Sequence, residues 1–182
     1  MNISDMIFPE VKLITNFKAT DERGEFVKIY NDTEFVRMGL RTDFKELYYS
    51  RSHRNVIRGM HFQTPPYAHA KLVHVIKGEV TDVVIDMRKG SGNYGKVMDV
   101  KLSEERARAL YIPEGFAHGF VSRTDDTVVL YCVTSGYSKE HDKGIRWDSI
   151  GYDWDAENPV LSQRDRNFPM LCEYDSPFEV QD

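Results

Sequence analysis

The chain is 182 residues long, 41% hydrophobic and 29% charged, with a formal net charge of −5. That length suits one domain with its own core, and that balance is the balance of a folded soluble protein rather than a disordered one. Lys and Arg are dispersed rather than gathered in a basic run, which argues against nucleic acid or an anionic membrane as the main partner.

A locally basic pocket for a small anion is compatible with the acidic total. No apolar run approaches the roughly 20 residues needed to span a bilayer. The start, Met1-Asn2-Ile3-Ser4-Asp5, lacks the basic and apolar stretches of a signal peptide, so a cytoplasmic protein is expected. Two cysteines are too few for a disulfide framework. Cys132 lies in an apolar run and is expected to be a buried, inert thiol.

Taken in order, the local signals are mostly those of short strands. Thr33 to Met38 can form two helical turns. Lys71 to Lys77 reads as a strand ending at Gly78, and Glu79 to Met87, rich in Val and Ile, as another that stops at the Lys89-Gly90-Ser91-Gly92-Asn93 turn. Val97 to Leu102, Ala109 to Ile112, Phe116 to Val121 and Thr127 to Thr134 continue the pattern. Ser103 can cap a short helical segment from Glu104 to Ala109, and Ser162 another near Arg164. The tail after Phe168, with its prolines and acids, reads as loop wrapped around a finished domain. Regular short strands with turns between them predict a single all-β sandwich or barrel over 1–182. A doubly wound α/β fold is disfavoured, because helices of sufficient length between strands are missing.

The chemistry-bearing residues cluster between Arg58 and His118. Arg58-Gly59-Met60-His61-Phe62-Gln63 comes first, then Lys71, then Pro113-Glu114-Gly115-Phe116-Ala117-His118-Gly119-Phe120. A base and a cation on a β scaffold suit removal of a proton next to a carbonyl. Arg58 and His61 are three residues apart, so a regular strand sends them to opposite faces. Gly59 lies between them, and glycine often marks a bulge that resets the alternation.

The second segment is similar to the cupin signature in which a proline–glycine turn presents a histidine to a barrel interior. Many cupins hold a metal through that histidine and a His-x-His pair. Here Gln63 stands where the second histidine would be, and three or four convergent ligands are not evident, so no metal is expected. Further pieces run in order along most of the chain: Asp21-Glu22-Arg23-Gly24, Ile57 to Gln63, Lys71-Leu72-Val73, Gly78-Glu79-Val80, Asp86 to Ser91, Ile112 to Phe120, Gly144 to Asp148 and Pro159 to Asp165. Together they resemble the dTDP-4-dehydrorhamnose 3,5-epimerase family.

That resemblance implies a cupin-like jelly-roll barrel with a few short helices, working as a homodimer without metal or organic cofactor. Its substrate would be a nucleotide-diphosphate-linked 4-keto-6-deoxy sugar. It makes His61 the general base, Asp165 its orienting partner, Tyr131 the acid on the opposite face and Lys71 the cation beside the enolate. Arg23 and Arg58 would hold the diphosphate. Phe26, Lys28, Glu46, Tyr48, Gln63, His118, Tyr137 and Asp142 complete the implied substrate-binding set. In the family pattern Lys28 is a glutamate, Glu46 a glutamine and Tyr48 an asparagine, while Asp142 is more often a glutamate. The nucleotide end therefore departs from the pattern. Thymidine is the first expectation, with cytidine or guanosine the alternatives.

Each assignment has a plain structural rival. Tyr131, flanked by Val129, Leu130 and Val133, could be core; His118 could support its turn; Tyr137 could be an exposed loop tyrosine. Lys71 could be a solvated strand end, Arg23 and Arg58 could pair with surface acids, and Asp165 could cap the Ser162 segment. A non-catalytic sugar-binding cupin, an epimerase of carbon 3 or carbon 5 alone, and a ketoisomerase on another nucleotide carrier are the competing functions.

Overall fold

The computed structural model describes residues 1–4 and 6–180. Thirteen strands make two large antiparallel sheets and one small one. β1 (Asn2–Ser4), β2 (Lys12–Thr15), β10 (Arg108–Ile112), β7 (Lys71–Lys77), β12 (Thr127–Val133) and β5 (Glu46–Ser52) form a six-stranded sheet in that order. β13 (Asp142–Gly144), β6 (Ile57–Gln63), β11 (Phe116–Ser122), β8 (Glu79–Asp86) and β9 (Val97–Ser103) form a five-stranded one. β3 (Phe17–Asp21) and β4 (Gly24–Lys28) pair only with each other. The two large sheets face one another as the jelly roll that the sequence predicted.

Strand alternation explains why the central strands read as continuous apolar runs. Val84 packs into the cluster between the sheets with Val73, Leu110, Phe120 and Val129. Its neighbours Val83 and Ile85 point the other way, into a second cluster with Trp154 and Phe178. Leu72 likewise turns from Val73 toward a third cluster with Ile14, Tyr111, Cys132 and Phe35. Both faces of these strands are covered, so no polar alternation survives in the sequence. The tail supplies part of that cover. Phe178 is buried, and the Lys89 and Val180 backbones bond to Phe178 and Lys89 in turn. Gln181 and Asp182, the end of the predicted wrapping tail, lie outside the described residues.

Helix α1 (Asp32–Arg37) begins where Asn31 accepts from the Glu34 N–H at 3.0 Å and ends before Gly39. Its one buried side chain, Phe35, anchors it to the six-stranded sheet, a contact worth about 1.5–3 kcal/mol of apolar burial. Helix α2 (Gln163–Arg166) is the short segment predicted from Ser162.

One expectation fails. Glu104 to Ala109 is not helical: residues 104–107 form a turn that carries the chain from β9 in one sheet to β10 in the other, with Ala107 at φ +47°. Ser103 ends β9 and does not cap a helix. Residues of good helical propensity are overruled because Ala109 and Leu110 must lie buried between β2 and β7. The strands before Ile57 were also not predicted, since their patterning is broken by polar residues and exposed aromatics. Among the described residues no helix is long and apolar enough to cross a membrane.

Candidate active site

A cavity of about 460 Å³ opens between the two sheets. Strand β5 gives it Glu46, Tyr48 and Ser50, alternate residues that share a face, while Leu47 and Tyr49 point outward. Strand β6 gives Arg58, His61 and Gln63; β7 gives Lys71; β11 gives His118; β12 gives Tyr131. Tyr137, Asp142 and Arg164 close the rim.

Arg58 and His61 both reach the cavity because β6 is bulged between them. His61 pairs with His118 and Arg58 with Phe120, so three steps on β6 match two on β11. Gly59 makes this possible. Its φ is +150°, and a Cβ there would meet the Gly119 Cα at 2.6 Å. No larger residue fits that approach.

His61 Nε2 lies 2.9 Å from Asp165 Oδ1. Asp165 is placed by α2, whose cap Ser162 accepts the Asp165 N–H at 3.0 Å, and its Oδ2 accepts the Gly59 N–H at 3.3 Å. Asp165 therefore does more than finish a helix turn; its carboxylate ties α2 to the bulge and to the imidazole. Burial raises its pKa, but the bonds from His61, Gly59 and Ser162 outweigh it and hold the carboxyl below its ordinary value. It stays ionised and accepts a hydrogen bond from the Nε2–H, which leaves Nδ1 as the basic nitrogen. Burial lowers the His61 pKa, with Asp165 opposing, so the imidazole is neutral near pH 7.

Lys71 is buried, not a solvated strand end, and donates to the His61 carbonyl at 3.0 Å. Burial pushes its pKa down to about 8, while Asp142 and Asp82 support the cation. Tyr131 is buried on the sheet opposite His61, with its hydroxyl 3.3 Å from Ser50 Oγ. Burial raises its pKa, so the phenol holds its proton. His118 lines the cavity and is bonded to the fully buried Asp82 of β8 at 2.9 Å rather than to the Pro113-Glu114-Gly115 turn.

Gln63 has its amide fully engaged. It accepts from the Ser138 N–H at 2.7 Å, and its nitrogen faces the Tyr67 and Gly136 carbonyls and His69 Nδ1. Glu46 accepts from the Tyr137 N–H at 2.7 Å and so fixes the loop that carries this exposed tyrosine. Asp142 pairs with Arg164 at 2.7 Å. Arg58 stands at the mouth, bonded to Ser52 Oγ and the Arg51 carbonyl.

Three expected residues are not brought to this cavity. Arg23, Phe26 and Lys28 lie on the β3–β4 hairpin, where Arg23 is 85% exposed in its side chain and paired to Asp21, and Phe26 is 58% exposed beside Phe17. Sequence reasoning missed several residues of the site, four of them polar groups of note. Arg164 stacks over Phe168 at the rim; Ser50 follows from the alternation of β5; Asp82 stands behind His118. His69, two residues before Lys71 and just outside β7, also lines the cavity; burial holds its pKa down at about 3 and keeps it neutral. Among the described residues no three His, Cys, Asp or Glu side chains converge as a metal cluster.

These features define a class: a jelly-roll barrel with a cavity between its sheets, a histidine–aspartate pair on one wall and a buried tyrosine and lysine on the other. The family model for dTDP-4-dehydrorhamnose 3,5-epimerase matches residues 5–173. A protein of Shigella flexneri named dTDP-4-dehydrorhamnose 3,5-epimerase is 41% identical over 178 residues, 96% of this chain and 98% of its own. The crystal structure of dTDP-6-deoxy-D-glucose-3,5-epimerase from Legionella pneumophila, in complex with dTDP-4-keto-L-rhamnose, superposes with a TM-score of 0.94 at 33% identity, covering 100% of this chain and 99% of that one. A 3'-monoepimerase from Streptomyces bikiniensis, in complex with dTDP-quinovose, gives 0.87 at 29% identity, covering 92% and 87%. The chain belongs to the dTDP-4-dehydrorhamnose 3,5-epimerase family. It is an isomerase of carbohydrate-epimerase type.

Proposed function

We propose that this protein epimerises a thymidine-diphosphate-linked 4-keto-6-deoxy sugar in deoxysugar biosynthesis, by removing a proton next to the ketone and returning one to the other face. The observation that carries this reading is the placement of His61, backed by Asp165, and Tyr131 on opposing sheets of one cavity. His61 Nδ1 takes the carbon-bound proton, and Asp165 stabilises the imidazolium that forms. Lys71 offsets the charge that develops on the keto oxygen. Such a donor is worth roughly 3–4 kcal/mol, comparable to the roughly 10²–10⁴-fold of a general base and added to it. Tyr131, held protonated, delivers its proton from the second face.

The carrier is read from the company the chain keeps. Two of its structural neighbours hold thymidine-diphosphate sugars. Arg58 stands at the mouth as a planar fork for diphosphate oxygens. The β3–β4 hairpin, with Arg23, Phe26 and Lys28 exposed and away from this chain's own cavity, suits an arm that completes the cavity of a second copy. The working unit is then a homodimer and the whole chain one epimerase domain. Free Cys132 and Cys172 fit a reducing cytoplasm.

Incubation with a thymidine-diphosphate 4-keto-6-deoxy sugar in deuterated water tests the reading. Deuterium is expected at carbon 3, carbon 5 or both, and the labelled position assigns the sugar chemistry. Tight binding with no exchange on any nucleotide carrier would overturn it in favour of a binding module. For the arm, mixing His61→Asn with Arg23→Ala subunits restores activity that neither has alone if the hairpin works in trans, and restores none if it works in its own chain.

A further inference from the structure

Tyr48 sits directly opposite Tyr131 in the β5–β12 register. Their rings stack with centroids 5.0 Å apart and planes at 20°. Tyr131 is fixed on three sides: His118 meets its ring edge-on at 6.3 Å, Ser50 holds its hydroxyl, and Tyr48 covers its exposed flank. Of the two stacked rings Tyr131 is buried, and Tyr48 is 43% exposed at the edge strand. Tyr48 is therefore the cover between the candidate acid and solvent.

We propose that Tyr48 is a positioning residue that holds the Tyr131 phenol in line with the second face of the substrate, and so sets how often proton removal ends in inversion. This rests on the proton-transfer reading of the site given above. The physical reason is a competition. Once the carbon-bound proton is on His61, the enolate is reprotonated either by the same imidazole, which regenerates substrate, or by Tyr131, which inverts the centre. Return from His61 forms the C–H bond on the first face and leaves both groups as they began, with solvent label if the imidazolium has exchanged its proton. Donation from Tyr131 forms it on the second face and leaves a tyrosinate and an imidazolium, which solvent resets by giving one proton and taking one. The ratio depends on how much of the time the Tyr131 hydroxyl is aimed at the carbon. A ring stacked face to face restricts the rotation that would swing the hydroxyl away, and it excludes the water that would replace it.

Exchange into recovered substrate and into inverted product, measured together in deuterated water, tests this. Tyr48→Phe keeps the stack and is expected to keep the wild-type ratio of exchange to inversion. Tyr48→Asn removes it, and is expected to raise exchange without inversion relative to inversion by roughly two- to tenfold, the range of an aromatic stack. Melting temperature verifies that both variants fold, and thymidine diphosphate affinity, measured separately, keeps any loss of binding out of the ratio. Exchange and inversion falling in parallel in Tyr48→Asn, or a change confined to KM, would overturn the proposal and make Tyr48 a substrate contact. A shifted ratio in Tyr48→Phe would overturn it too, by making the hydroxyl the active part. Loss of His61-dependent exchange from the wild-type protein is a different failure, and it would remove the underlying reading of the site.

Discussion

His61 and Asp165 stand 104 positions apart in sequence and meet at 2.9 Å inside the barrel. The contact joins a strand of the five-stranded sheet to the first turn of α2, and the same carboxylate holds the Gly59 N–H of the bulge. One side chain thus orients the base and fixes the backbone that aims it.

His61→Asn is expected to abolish exchange, and Asp165→Asn to slow it by about 10²–10⁴-fold, the usual worth of an oriented acid–base group. The asparagine amide presents no charge to the imidazolium and can favour the wrong tautomer. Rates of deuterium incorporation, with circular dichroism to verify folding, check both. Wild-type rates in Asp165→Asn would reduce Asp165 to a helix residue.

The pH profile of kcat/KM should be bell-shaped. With His61 as the proposed neutral base, activity is present above its lowered pKa and lost as pH falls through it, below the ordinary 6.5. With Lys71 as the proposed cation, activity is lost as pH rises through about 8. Tyr131 stays protonated across this window because burial raises its pKa. Lys71→Met is expected to lower kcat by about 10²–10³-fold and to remove the alkaline limb. Steady-state rates from about pH 5 to about pH 10 measure both limbs.

Gly59→Ala forces a Cβ to within 2.6 Å of the Gly119 Cα, backbone against backbone, at a φ that L side chains rarely adopt. A loss of roughly 1–3 kcal/mol in stability follows, and a larger loss of activity, because the bulge aims His61. Chemical denaturation and exchange assays on the same variant separate the two effects. A stable, fully active Gly59→Ala protein would show that the bulge is dispensable.

Dialysis against a chelator is expected to leave activity unchanged. Gln63 occupies the second position of the metal-binding pair, and its amide is already bonded to Ser138 and to carbonyls. Metal analysis of the purified protein checks the same point, and a stoichiometric transition metal held by His61 and His118 would overturn it.

Titration calorimetry with thymidine, uridine, cytidine and guanosine diphosphates should rank thymidine first. Glu46 spends one carboxylate oxygen on the Tyr137 N–H, so it serves the loop as well as any base. A preference for cytidine or guanosine diphosphate would move the carrier while leaving the acid–base site intact.

Local sequence determined a good deal. Val- and Ile-rich runs bounded by glycines marked β7, β8, β9, β10, β11 and β12 almost to the residue, because strands buried on both faces leave little else to read. Ser162 announced α2, and Gly59 between Arg58 and His61 announced the bulge. The ordered motifs announced the family. Tertiary structure decided the rest. Glu104 to Ala109 had helical propensity, yet the crossing between two sheets and the burial of Ala109 and Leu110 made it a turn and a strand. The stack of Tyr48 on Tyr131 and the pairing of His118 with Asp82 depend on register across the barrel, which no local pattern encodes. Nor could spacing reveal that the exposed hairpin bearing Arg23, Phe26 and Lys28 lines no part of the cavity of its own chain. Propensity and alternation act over a few residues, whereas a site between two sheets is assembled by contacts a hundred residues apart, and only the folded barrel sets those.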